Sequence, residues 1–135
     1  MISLITGKKG SGKTKVLIDI INESVSTTRG CLVCIEKGET LRRSISYKVR
    51  WCGVEQFNIN GCDAFYGFIA GMLAGNYDIK EIFVDGILKI CGSDFCLLAE
   101  MFEKIEKLTG TDTKVIFTVS ADKDELPDSL EKYIA

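Results

Sequence analysis

Residues 7 to 14 read Gly-Lys-Lys-Gly-Ser-Gly-Lys-Thr, the spacing G-x-x-x-x-G-K-[ST] with no departure. An octet of this kind works only where an apolar strand runs into it and an amphipathic helix leaves it, and ISLIT and KVLIDII supply the two sides. The start of the chain is thereby committed to strand, tight loop and crossover helix. Such a loop must curl until successive backbone N–H groups converge on one point, which favours residues without a Cβ, and Gly7, Gly10 and Gly12 meet that need. Lys8, Lys9 and Ser11 complete the loop. Lys13 brings a full positive charge to the outer phosphates of a nucleotide, the helix N-terminus adds unpaired N–H groups, and Thr14 offers a hydroxyl to magnesium. In an empty loop the Lys13 side chain is expected to be exposed. An ordinary glycine turn capping a helix has no use for this residue order.

Beyond the octet, apolar runs alternate with helical patterns to the end of the chain, the signature of β-α-β units and a parallel sheet. With 135 residues and 46% apolar content, the expectation is a single domain over residues 1–135. Strand one is expected at Ile2 to Thr6, and the helix from Lys13 carries Val16, Leu17, Ile20, Ile21 and Val25 on its apolar face. Strand two, Cys31 to Glu36, is apolar throughout, as a strand covered on both faces should be. Residues 39–50 read as helical, and Val54 to Ile59 as a weaker strand suited to a sheet edge. A helix over roughly Asp63 to Leu73 places Phe65, Phe68, Ile69 and Met72 on one stripe. Strand four is Glu81 to Asp85. A helix capped near Ser93 carries Leu98, Met101, Phe102, Ile105 and Leu108 and stops at Gly110, and strand five is Lys114 to Val119. The last ten residues read as a short helix or an extended tail.

A net charge of -2 argues against bulk nucleic acid or an anionic membrane surface as the main partner. No apolar run reaches the roughly 18–20 residues that span a bilayer, and MISLITGKKG has no charged region before its apolar stretch. A cytoplasmic protein is expected. The six cysteines sit within apolar runs and read as reduced core thiols. Cys31 and Cys34, three apart on a strand, point to opposite faces and cannot share a metal.

Magnesium bound at Thr14 needs an acid at the end of a nearby buried strand, and Asp85 closes the run Ile82, Phe83, Val84 in the Walker B manner. The position after it, where many ATPases carry a water-activating Glu, is Gly86. A catalytic base must then come from elsewhere. Parallel neighbours bring their strand tips to one rim, which makes Glu36 the first candidate and Glu39 the second. The competing reading makes both solvated carboxylates paired with Lys37, Arg42 or Arg43.

The stretch CLVCIEKGETLRRSISYKVRWCGVEQFNI, with EIFVDG and KVIFTVSADK downstream, resembles RecA-like ATPases over roughly residues 1–125. In that superfamily an apolar strand ends in Glu and is followed by a Leu and basic residues, then by a Gly opening the next strand. Here these are Glu36, Leu41, Arg42, Arg43 and Gly53. The resemblance implies a P-loop NTPase fold with ATP as nucleotide, Lys13 and Glu36 as catalytic residues, and a polar strand tip, Thr118 and Ser120, that senses the terminal phosphate. Three α/β/α layers around a parallel sheet in the order 3-2-4-5-1 follow from it. The chain departs from the family in lacking further strands and in having Lys37 where clock-type members have a second Glu.

The resulting expectation is a magnesium-dependent ATP-binding protein with slow or partner-stimulated hydrolysis. Three alternatives stand beside it: a nucleotide-dependent binding module without hydrolysis, a small-molecule kinase using Arg42, Arg43, Lys48 and Arg50 as a clamp, and a GTPase. The last lacks both the D-x-x-G spacing after Asp85 and the Asn of N-K-x-D. Family members complete their sites with a basic residue from a neighbouring subunit, so homo-oligomers or a protein partner are expected, with Arg42, Arg43 and Arg50 as donors of that charge. A first strand at the sheet edge also needs the C-terminal tail or another chain to cover it.

Overall fold

Apolar residues on both sides of every central strand demand cover on both faces of a sheet, and the computed structural model, which describes residues 1–135, has that architecture. Strand β1 (Ile2–Gly7) leads through the glycine loop into helix α1 (Lys13–Thr27), then β2 (Cys31–Glu36) and β3 (Val49–Gly53). Helix α2 (Cys62–Gly75), β4 (Ile79–Asp85), the short α3 (Ile87–Cys91) and α4 (Phe95–Thr109) follow. Strand β5 (Lys114–Ser120) and a last turn of helix, α5 (Asp128–Glu131), complete the chain. All four strand pairings are parallel, and the sheet runs β1-β5-β4-β2-β3, which read from the β3 edge is 3-2-4-5-1.

Each face has its own core. On one, Leu17 and Ile21 of α1 press onto Leu32, Cys34, Phe83 and Ile116, and Leu41 from the segment after β2 closes the cluster. On the other, α2, α3 and α4 cover Val33, Ile35, Ile82, Val84 and Phe117, with the Phe102 and Phe117 ring centroids 4.7 Å apart. Polar anchoring supplements the packing at the end of α1: the buried Glu81 of β4 accepts hydrogen bonds from Ser24 Oγ at 3.3 Å and Thr28 Oγ1 at 2.7 Å. A buried carboxylate satisfied in this way fixes the helix over the sheet.

The outer edge of β1 is covered by the chain's own C-terminal residues. Leu4 N–H donates to the Tyr133 carbonyl at 2.8 Å, and Ala135 N–H donates to the Leu4 carbonyl at 3.2 Å. Tyr133 is held there by an edge-on contact with Phe102, centroids 5.6 Å apart. Of the two covers the sequence allowed for this edge, the tail supplies one.

Several local expectations are corrected. Of the expected helix 39–50, residues 39–48 are a run of turns, because Leu41 and Ile45 are the only apolar side chains this stretch packs into the core and local bonds such as Ser44 N–H to the Leu41 carbonyl take up its backbone, while 49 and 50 are already strand. Strand three is therefore Val49–Gly53, paired from Leu32↔Val49 to Glu36↔Gly53; where β2 ends, Val54–Phe57 turns into a 3-10 helix closed by Asn58 at φ 55°. The α4 cap is Asp94, whose Oδ1 accepts from Cys96 N–H and Leu97 N–H at 3.0 and 3.2 Å, one residue beyond Ser93. Val16 on α1 is exposed, since the buried stripe runs through Lys13, Leu17, Ile21 and Ser24. All six thiols are free, as expected, yet only Cys34 and Cys52 are buried. No helix is long and apolar enough to cross a membrane.

Candidate functional site

Parallel registry gathers the tips of the strands at one rim: Gly7 pairs with Ser120, and Glu36 with Asp85. Between the tips of β1 and α1 the loop curls through Gly10 at φ 85° and Gly12 at φ 92°, and Ser11 N–H closes it on the Lys8 carbonyl at 3.0 Å. Gly7 sits at φ 152°, where any side chain is strained, and a Cβ there would also force Ser11 Oγ to move. A Cβ at Gly10 or Gly12 would meet no atom within 4 Å, so these two backbones face open space. Together they give a concave surface of backbone at the start of a helix, which suits an anion.

A cavity of about 420 Å³ opens there, bounded by the loop on one side and by Asp85, Thr118, Ser120 and α3 on the other. Lys13 is buried, at 9% exposure, contrary to the exposed side chain the sequence suggested. The first turn of α1 tucks its stem under the loop, and Nζ reaches the Lys8 carbonyl at 2.9 Å. The ammonium thus stays inside the cavity wall. Thr14 Oγ1 stands 3.4 Å from both carboxylate oxygens of Asp85, at the outer limit of a hydrogen bond.

Asp85 is positioned from the neighbouring strand. Thr118, 1% exposed on β5, donates its hydroxyl to Asp85 Oδ1 at 2.7 Å and accepts Gly86 N–H at 2.7 Å. One hydroxyl thereby fixes both the acid and the corner into α3. The hard oxygens of Thr14 and Asp85 suit magnesium, which takes one or two protein ligands and completes its shell with water and phosphate oxygens. No cluster of three or more His, Cys, Asp or Glu side chains that could hold a metal ion is present.

The two candidate bases lie outside this cavity. Glu36 is 3% exposed, and its Oε2 accepts both Leu41 N–H at 2.8 Å and Trp51 Nε1–H at 2.7 Å. It holds the turn segment to the β3 tip. Glu39 is exposed and pairs with Arg42 at 3.0 Å, while the Arg42 guanidinium stacks over the Trp51 ring at 4.7 Å. Lys8 forms an exposed pair with Asp122 at 3.4 Å, leaving Lys9 as the free lysine of the loop crest. Beneath the rim, burial first and the charges of Glu36 and Asp85 second push the Cys34 thiol far up, so it stays protonated and plays no nucleophilic part.

A larger hollow of about 670 Å³ lies between α2 and the β3 edge, over Gly67 and Gly71. Its walls are mostly apolar, with Arg50 and Asn76 the polar side chains among them. Sequence reasoning placed Thr118 with Ser120 at a polar strand tip expected to sense the terminal phosphate, without its bonds to Asp85 and Gly86, and passed over Lys89, which lines the cavity from α3. The signal for Thr118 was its place two residues before Ser120 on the strand beside Asp85; nothing in the sequence pattern marked Lys89. No protein-family model and no curated protein matches the chain.

Proposed function

We propose that the chain is a magnesium-dependent ATP-binding protein with the P-loop NTPase fold, of the RecA-like kind, in which binding is the primary activity and hydrolysis is slow or stimulated by a partner. The observation that carries this reading is the approach of Thr14 Oγ1 to both oxygens of Asp85, 3.4 Å each, at the end of a cavity walled by Gly10, Gly12 and Lys13. In this reading Gly7 to Thr14 cradle the phosphates, and Lys13 exchanges its bond to the Lys8 carbonyl for phosphate oxygen. Thr14 and Asp85 would hold the magnesium ion, which neutralises charge on the outer phosphates when bound.

Slow hydrolysis follows from the carboxylates. Asp85 is the only one lining the cavity, and it serves the metal, while Glu36 is bound to Leu41 and Trp51 and Glu39 to Arg42. The same observation favours a second reading, a nucleotide-dependent binding module whose ATP occupancy is recognised by a partner without turnover. The reaction rate separates the two.

Titration calorimetry with magnesium and ATP tests the reading. Lys13→Met keeps the aliphatic stem that packs under the loop and removes the charge. The expected result is loss of about tenfold or more in affinity with an unchanged unfolding midpoint. Equal affinity in wild type and Lys13→Met, or no heat of binding to the wild type, contradicts the assignment.

A further inference from the structure

The cavity has three lysines in its walls: Lys9 and Lys13 from the loop, and Lys89 from α3, the short helix that begins two residues after Asp85. Lys89 is exposed and belongs to none of the ion pairs, which are Lys8–Asp122, Lys15–Asp19 and Arg42–Glu39. Its backbone is fixed all the same. Lys89 N–H donates to the Gly86 carbonyl at 2.9 Å, Gly86 is clamped to Thr118, and Ile87 and Ile90 on either side of it are buried. The stem folds back over the corner, since a Cβ built at Gly86 would lie 3.4 Å from Lys89 Cδ. An unpaired lysine on a fixed backbone therefore lines the same cavity as Asp85.

We propose that Lys89 is the cation with which this chain distinguishes a nucleoside triphosphate from a diphosphate, an inference that rests on the cavity being a magnesium–ATP site. A metal held by Thr14 and Asp85 lies against the two outer phosphates, so the terminal phosphate belongs at the Asp85 end of the cavity. Lys89 lines the same cavity, with its stem against Gly86, the residue that follows Asp85. The terminal phosphate carries the largest negative charge of the chain of three, and an unpaired ammonium gains most there. The arginines considered as donors from a neighbouring subunit are placed elsewhere: Arg42 is stacked on Trp51, Arg43 shares its hollow with Glu39 and Arg42, and Arg50 borders the apolar hollow. Lys89 is the cation that this chain itself adds to the site beyond the loop lysines.

The test compares dissociation constants for ATP and ADP, each with magnesium, in the wild type, Lys89→Gln, Lys89→Arg and Lys13→Met. Lys89→Gln is expected to weaken ATP about tenfold and ADP less than about twofold. Lys89→Arg should restore the preference for ATP, and Lys13→Met should weaken both nucleotides. An ATP-to-ADP ratio in Lys89→Gln equal to that of the wild type overturns the role of Lys89 and leaves the ATP site standing. A wild-type chain that binds neither nucleotide overturns both.

Discussion

Replacing Thr118 by Val removes one hydroxyl and keeps the shape of the side chain, so its cost measures the clamp between Asp85 and the β4–α3 corner. The hydroxyl makes two bonds of 2.7 Å, one to a carboxylate and one from a backbone N–H. A hydrogen bond to a charged group contributes about 1.5–3 kcal/mol and a neutral one about 0.5–1.5 kcal/mol. Asp85 and Gly86 are both partly exposed, so water replaces some of what is lost and the low end of each range applies. The net expectation is a loss of about 2 kcal/mol. With an unfolding entropy of about 2.1 cal/mol/K per residue, that lowers the melting temperature of a 135-residue domain by about 7 °C. Thr118→Ser is the control, because it keeps the hydroxyl and loses a methyl group worth about 1 kcal/mol. Differential scanning calorimetry of both variants decides the matter. A Thr118→Val protein that melts with the wild type, or no lower than Thr118→Ser, would refute the claim that this hydroxyl fixes the corner.

Glu36→Gln keeps an oxygen that can accept from Leu41 and Trp51 and should leave stability within about 1 kcal/mol, whereas Glu36→Ala strands both donors and should cost about 2–4 kcal/mol. Trp51 is the only tryptophan, so its emission should shift to the red in Glu36→Ala and hold its position in Glu36→Gln; equal spectra in the two variants would contradict the structural role. Tyr133→Ala removes a buried ring from its contact with Phe102 and should cost about 3 kcal/mol in urea unfolding. Because the same residues cover the β1 edge, light scattering of that variant should rise with protein concentration, and a monodisperse Tyr133→Ala solution would show that the tail is not what protects the edge.

How much of this was legible in the sequence depends on whether a residue's partners are local or distant. The octet Gly7 to Thr14 and the strand ends at Glu36 and Asp85 could be read directly, because a run of apolar residues closed by a charge marks a strand tip wherever it occurs. The segment 39–50 misled because its spacing suits a helix, while the deciding interaction, the Glu36 carboxylate taking Leu41 N–H, is a side-chain bond that periodicity does not carry. The burial of Lys13 was missed for a similar reason: its partner is a carbonyl five residues back, across a loop whose curl is set by glycine geometry. Lys89 could not be read at all. Its place in the cavity wall comes from α3 starting at the Gly86 corner, which keeps the side chain beside the cavity the strand has just left.

Glu36 and Asp85 are register partners on adjacent strands, and alternation along the strand sends both side chains to the face that α1 covers. Two carboxylates so placed repel, and the fold separates their tasks by what each one accepts. Asp85 takes a hydroxyl from Thr118 and faces Thr14; Glu36 takes two N–H groups on the side away from the loop. For Glu36 to orient a water in the cavity, both of its bonds would have to open. Two hydrogen bonds to a charged acceptor together contribute about 3–6 kcal/mol, so the released carboxylate would be populated at only about one part in 10² to 10⁴. A base available so rarely gives slow turnover even where the phosphates and the metal are correctly held. The same arithmetic says where stimulation would act: a partner that draws both Leu41 and Trp51 away from Glu36 restores the missing factor without touching the nucleotide. The proposed slow hydrolysis and the bonds of the turn segment are in this sense one property of the rim.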